Sequence, residues 1–180
     1  MIDEKKVEIL IAELLDQLGQ HFRPGLHNTP ARVARFWKEF LEYDPGDIDV
    51  TFESTSIDQL VILTGIRVYS LCEHHLLPIT CDVSIGYLSG PKVLGLSKLA
   101  RIAHKHAHKL QLQERMTQQI ADEVSATTGT LDVAVLIKGV HMCMVIRGIK
   151  TSGKMITSEM RGRFRDPGRA RMEFLQLVKA

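Results

Sequence analysis

From Cys81 to Tyr87 the chain alternates strictly: Cys81, Val83, Ile85 and Tyr87 stand against Asp82, Ser84 and Gly86. A period of two suits an extended strand with one buried face. The first forty residues follow a different period. Val7, Leu10, Ile11, Leu14, Leu15 and Leu18 recur at three- and four-residue spacings, which predicts an amphipathic helix ended by Gly19. A second helix is expected from Thr29 as cap and Pro30 just inside, with Val33, Phe36, Trp37, Phe40 and Leu41 as its apolar stripe and Pro45-Gly46 as its stop. β-Branched residues from Leu60 to Tyr69 predict another strand. After the Gly90-Pro91 turn, Ser97 opens a helical segment with Ala100, Ala103, Ala107 and Leu110 on one side. Met116, Ile120 and Val124 continue the helical region, and Gly129 closes it. Asp132 to Lys150, rich in Val and Ile, reads as a long strand paired with the one before the helices. A last helix is expected around Phe174, Leu175 and Val178. Helical and extended periods come in blocks, which favours an α+β fold over a doubly wound one.

A chain of 180 residues suits one core. Its formal net charge of +2 gives little reason to expect a polyanionic partner, although the basic residues crowd into the second half. Aromatic residues do not interleave with those charges, so no nucleic-acid partner is expected. No run reaches the ~20 apolar residues that span a bilayer, so no membrane association is expected. Three widely spaced cysteines, an odd number, do not make a secreted disulfide framework and point to a reducing, cytoplasmic setting.

Cys72 and His75 lie three residues apart, a spacing that lets a thiolate and an imidazole share one ion. Cys143 is the third candidate, on the expected late strand where His141, Cys143 and Arg147 would share a face. Two sulfurs and one imidazole suit Zn2+, and three protein donors leave a tetrahedral position for water, whose pKa zinc lowers to ~7. His74 and His141 are then spare imidazoles suited to moving protons. A closed structural zinc site and ordinary buried cysteines are the alternative readings of the spacing. Cys81, alternating with apolar neighbours, reads as core.

Ser97 at a helix start, Lys98 in its first turn and Arg101 four residues on make a candidate phosphate cradle, with Arg147 adding a forked donor. The alternative is an ordinary solvated face. Glu114, after Gln113 at the next helix start, is either a dipole-stabilised charge or an acceptor for the adjacent N–H donors of guanine. His104, His106 and His108 read as an exposed polar helix face, since residues two apart on a helix point away from one another.

Tyr69 through Pro78, which contains Cys72-Glu73-His74-His75, resembles the corresponding motif of the GTP cyclohydrolase I family. So do Ile85-Gly86-Tyr87, Gly95 through Arg101, Gln113-Glu114-Arg115 and His141 through Gly148, in the same order. The resemblance implies the tunnelling (T-fold) α+β architecture, with helices on one face of an antiparallel sheet, a helical extension over residues 1–50 and a catalytic domain over 51–180. It implies a homodecamer of two stacked pentamers with active sites at subunit junctions. It further implies zinc held by Cys72, His75 and Cys143, guanine anchored by Glu114 with Gln113, and ribose and triphosphate held by Ser97, Lys98, Arg101 and Arg147. His74 and His141 would move protons, with Ser97 and Gln113 also among the catalytic groups. The implied reaction converts GTP to 7,8-dihydroneopterin triphosphate and formate, at the head of a folate, tetrahydropterin or 7-deazaguanine route.

Overall fold

A computed structural model describes residues 1–20 and 23–179. The chain forms two compact units, Met1–Asp44 and Pro45–Ala180. The first is built on α1 (Glu4–Gln17) and α2 (Thr29–Leu41). Asp3 caps α1 by accepting a hydrogen bond from the Lys6 amide. Thr29 is not the cap of α2. It is the first helical residue behind Asn28, with Pro30 beside it in the first turn, where a missing N–H costs nothing.

The second unit runs β1 (Thr51–Glu53), β2 (Leu60–Cys72), β3 (Pro78–Leu88), β4 (Lys92–Leu94), α3 (Leu96–Ala107), β5 (Leu110–Gln111), α4 (Gln113–Thr128), β6 (Val133–His141), α5 (Met142–Val145), β7 (Met155–Met160) and α6 (Arg169–Leu177). Five strands form one sheet in the order β5-β2-β3-β6-β7, antiparallel except where β5 joins β2. The fold is therefore α+β, as the blocks of periodicity predicted. β3 pairs with β6 through Val83 opposite Ile137, Cys81 opposite Gly139 and Ile79 opposite His141. β1 and β4 form a separate two-stranded ribbon.

One face of the large sheet packs on α3 and α4. Met116, Ile120 and Val124 of α4 are fully buried with Val83, Ile85, Val135 and Ile137. Burying each such side chain contributes roughly 1.5–3 kcal/mol, so this layer is the main source of stability. Gly129 adopts φ +73 and ends α4, a left-handed conformation that glycine reaches without the Cβ penalty.

The expectation of helices on a single face fails at the other end of the sheet. There Phe164 and Phe174 pack with Leu88, Ala134 and Leu136, so α6 covers the second face. Successive residues of β6 alternate between the two clusters, and both of its faces therefore bury apolar side chains. Gly86 makes this packing feasible, because a Cβ there would stand 2.7 Å from the Phe174 ring.

The late strand also departs from expectation. It stops at His141, and Met142–Val145 turn into the short helix α5. Shared parity of His141, Cys143 and Arg147 on a strand is thereby ruled out. α3 likewise starts at Leu96 behind Gly95, so Ser97 sits exposed in its first turn and does not cap it.

Candidate metal centre and active site

β2 ends at Cys72, and the chain returns to β3 at Pro78 through a tight loop. The Cys72 amide donates to the Leu77 carbonyl at 2.9 Å, while the amides of His75 and Leu76 both donate to the Cys72 carbonyl. Leu76 takes φ +55 to close the loop. Glu73 anchors it from outside: its carboxylate receives both terminal nitrogens of Arg115 on α4, at 2.7 and 3.0 Å. That guanidinium holds the Glu73 carboxyl below the usual carboxylate range.

Because Ile79 pairs with His141, the end of β6 lies beside this loop, and the turn into α5 carries Cys143 towards Cys72. One donor atom from each of Cys72, His75 and Cys143 lies within 4.8 Å of the others. The predicted donor set is thus assembled, although a helical turn does the work assigned to a strand. The two Sγ atoms are 3.8 Å apart. Two sulfurs at ~2.3 Å from a tetrahedral ion stand about that far from each other, whereas a disulfide needs ~2.05 Å. The residues present therefore fit a metal that accepts two thiolates and one imidazole. Burial first, and the neighbouring Cys72 second, push the Cys143 thiol above its ordinary value. Cys81 differs: it is fully buried in the core, and burial pushes its pKa up to about 12.

His74 is exposed, and its ring stands nearly perpendicular to that of His75, at 88° with centroids 6.3 Å apart. Only His75 turns its imidazole to the sulfurs, which leaves His74 available to solvent. His141 is half-buried, and burial pushes its pKa below the ordinary imidazole value against a smaller opposing effect of the Glu114 carboxylate. Glu114 itself is exposed in the first turn of α4.

Gln113 is in a different position from its neighbour. It is fully buried, and its side-chain amide meets the carbonyls of Ile137 and Met155, the Thr157 hydroxyl and His141 Nε2. Gly139 provides the space: a Cβ there would lie 2.0 Å from Gln113 Oε1. This constellation was not foreseen. Its one visible signal was a glycine in a strand otherwise rich in β-branched residues, which marks a close approach.

Lys98 and Arg101 are not extended into solvent. Lys98 Nζ donates to the Asp47 carbonyl at 2.6 Å, and Arg101 Nη1 donates to the Pro45 carbonyl at 3.1 Å. Arg147 Nη1 lies 2.6 Å from His75 Nε2, which must accept because a guanidinium only donates. The histidines of α3 also depart from expectation. His106 is buried, with Nε2 2.5 Å from a Glu123 carboxylate oxygen, and His104 and His108 are half-covered. An exposed polar face is therefore wrong for this stretch.

Two thiols and an imidazole gathered at the end of an α+β sheet, with two further histidines in the same segments, make a three-donor centre compatible with a metal, and the match to known proteins places it in a class of hydrolytic enzymes. The chain belongs to the GTP cyclohydrolase I family, whose model matches residues 7–179. It is 42% identical to GTP cyclohydrolase 1 of Hyperthermus butylicus over 99% of this chain and 92% of that protein. It is 38% identical to GTP cyclohydrolase 1 of Sulfurihydrogenibium sp. over 100% of this chain and 97% of that one. Among solved structures, an archaeosine synthase QueF-like protein in its apo form matches 58% of this chain and 96% of its own, with 19% identity and a TM-score of 0.47. Among the described residues, no helix is long and apolar enough to cross a membrane.

Proposed function

We propose that this enzyme hydrolyses GTP at the imidazole ring of guanine and rearranges the product to 7,8-dihydroneopterin triphosphate, releasing formate, with Zn2+ held by Cys72, His75 and Cys143. The observation that carries the reading is the gathering of those three donors in a member of this family, with His141 at the end of the strand leading to Cys143 and Glu114 near enough for its charge to act on His141. When bound, the ion would supply hydroxide at neutral pH by lowering the pKa of a water to ~7.

The chain's own residues do the rest. Glu114 accepts the adjacent N1–H and N2–H of guanine, a pair that adenine lacks, and so selects the base. His141 and His74 take up and return protons at the purine's five-membered ring. Ser97, Lys98 and Arg101 hold ribose and triphosphate. Lys98 and Arg101 would exchange the neutral carbonyls of Pro45 and Asp47 for phosphate oxygens, which form stronger, charge-assisted bonds. Arg147 must leave His75 Nε2 when His75 ligates, because an imidazole bound through one nitrogen carries its proton on the other. Its guanidinium is then free for phosphate.

The tunnelling fold, assembly as a decamer of two pentamers, and a place at the head of folate, tetrahydropterin or 7-deazaguanine synthesis complete the proposal on the family resemblance, and a cytoplasmic setting completes it on the three widely spaced cysteines. The test is incubation of zinc-loaded protein with GTP, reading formate and pterin fluorescence. Loaded, assembled protein that produces neither would reject the activity.

A further inference from the structure

We propose that Gln113 is a positioning residue that orients the His141 ring by accepting the hydrogen on its Nε2, and that Thr157 and Thr117 hold Gln113 in the orientation this requires. The proposal deepens the acid–base role given above to His141 and rests on it.

The direction of each hydrogen bond follows by elimination. The carbonyls of Ile137 and Met155 can only accept, so the Gln113 side-chain atom 3.2 Å from each must be the amide nitrogen. That nitrogen has no lone pair to offer, so Thr157 Oγ1, 3.0 Å away, accepts as well. Thr117 Oγ1 lies 2.7 Å from the main-chain carbonyl of Gln113, where its single proton must go. In the 2.7 Å contact between the two hydroxyls, Thr157 is therefore the donor and Thr117 the acceptor. Three acceptors thus crowd one end of the Gln113 amide. Its oxygen is left facing His141 Nε2 at 2.9 Å and can only accept. His141 Nε2 consequently carries the hydrogen of this bond, which fixes the ring as the tautomer with a bare Nδ1.

Turning the amide over would set its oxygen against two carbonyl oxygens. Gln113 is fully buried and Thr117 only 2% exposed, so water is not there to relieve such contacts. Gly139 leaves no Cβ in the way of this arrangement. With both ends of its amide engaged inside the chain, Gln113 acts on the substrate through His141.

The test uses zinc-loaded, full-length protein containing 15N-histidine, without GTP, so that the first readout does not depend on the reaction. Nitrogen spectra identify His141 by comparison with His141→Asn. The expected neutral form is protonated at Nε2 and bare at Nδ1; a His141 protonated at Nδ1 would overturn the proposal. Gln113→Met should mix the two tautomers and lower kcat by ~10²-fold while leaving KM for GTP within about two-fold. Thr157→Val, a milder change should Gln113→Met not fold, should show a second tautomer and lose roughly three- to ten-fold in kcat, with both restored by Thr157→Ser. A raised KM with an unchanged tautomer in either variant would make the group a substrate contact and refute positioning. Protein with the Nε2–H tautomer but no formate from GTP would sink the proposed activity and leave the tautomer assignment standing.

Discussion

Gly139→Ala should be among the most damaging single-methyl additions in the second unit. The new Cβ would stand 2.0 Å from Gln113 Oε1, 2.9 Å from Gln113 Cδ and 3.1 Å from Cys81 Sγ, where ordinary contact begins near 3.4 Å. Something must move by more than an ångström. Cys81 is fully buried and cannot recede, and Gln113 is fully buried with its amide nitrogen tied to β6 and β7. Overpacking a close-packed site costs about 1–3 kcal/mol. Each displaced hydrogen bond adds about 1 kcal/mol, and the hydrogen bond to His141 is the first to go. The expected loss is therefore about 2–5 kcal/mol in denaturant unfolding. Gly90→Ala, with nothing within 4 Å of the added atom, is the control and should stay within about 0.5 kcal/mol of the parent. Equal stability of the Gly139→Ala and Gly90→Ala proteins would refute the packing argument and the tight fit of Gln113 with it.

Cys143→Ser should abolish stoichiometric zinc binding while sparing the sheet, since Cys143 is only part-buried beyond the end of β6; full zinc content by metal analysis would contradict its assignment as a ligand. Glu114→Gln should lower kcat/KM for GTP by ~10²-fold or more, because an amide cannot accept two adjacent N–H donors as a carboxylate does; unchanged selectivity for GTP over ATP would place base choice elsewhere. Stability should also fall in acid. Burial lowers the pKa of His106, outweighing the raising effect of Glu123, and burial also lowers that of His104. The unfolded chain therefore binds more protons below its imidazole pKa of ~6.5, so the stabilisation is complete above that pH and lost as pH drops through the lower folded values. Denaturation midpoints measured from pH 8 to 5 should follow that curve, and His106→Gln should flatten it. A parent midpoint that rises on acidification would contradict the sign.

What could be seen in advance divides along physical lines. The strict alternation at Cys81–Tyr87 and the stripe at Met116, Ile120 and Val124 located β3 and α4, because burial on one face imposes a period on the sequence. The donor trio was legible because Cys and His in compact clusters have few other reasons to occur together. The turn after His141 was not. Val and Ile run on through the segment as Val145 and Ile146, and that β-favouring composition gives no sign that Met142–Val145 turn into helix. The amide network around Gln113 was also hidden, since it joins residues 28 and 44 positions away, on His141 and Thr157. Local propensity carries no record of such contacts. The α3 histidines were misjudged for a related reason: His106 is buried by α4, whose Glu123 meets its ring.

Zinc X-ray absorption on the loaded protein without GTP tests most directly the claim that two thiolates and one imidazole leave one corner of the ion to solvent. The account predicts two sulfurs at ~2.3 Å and two nitrogen or oxygen neighbours at ~2.0–2.2 Å, one of the latter lost or replaced when GTP binds. Three or four sulfurs, or a shell that GTP leaves untouched, would contradict it.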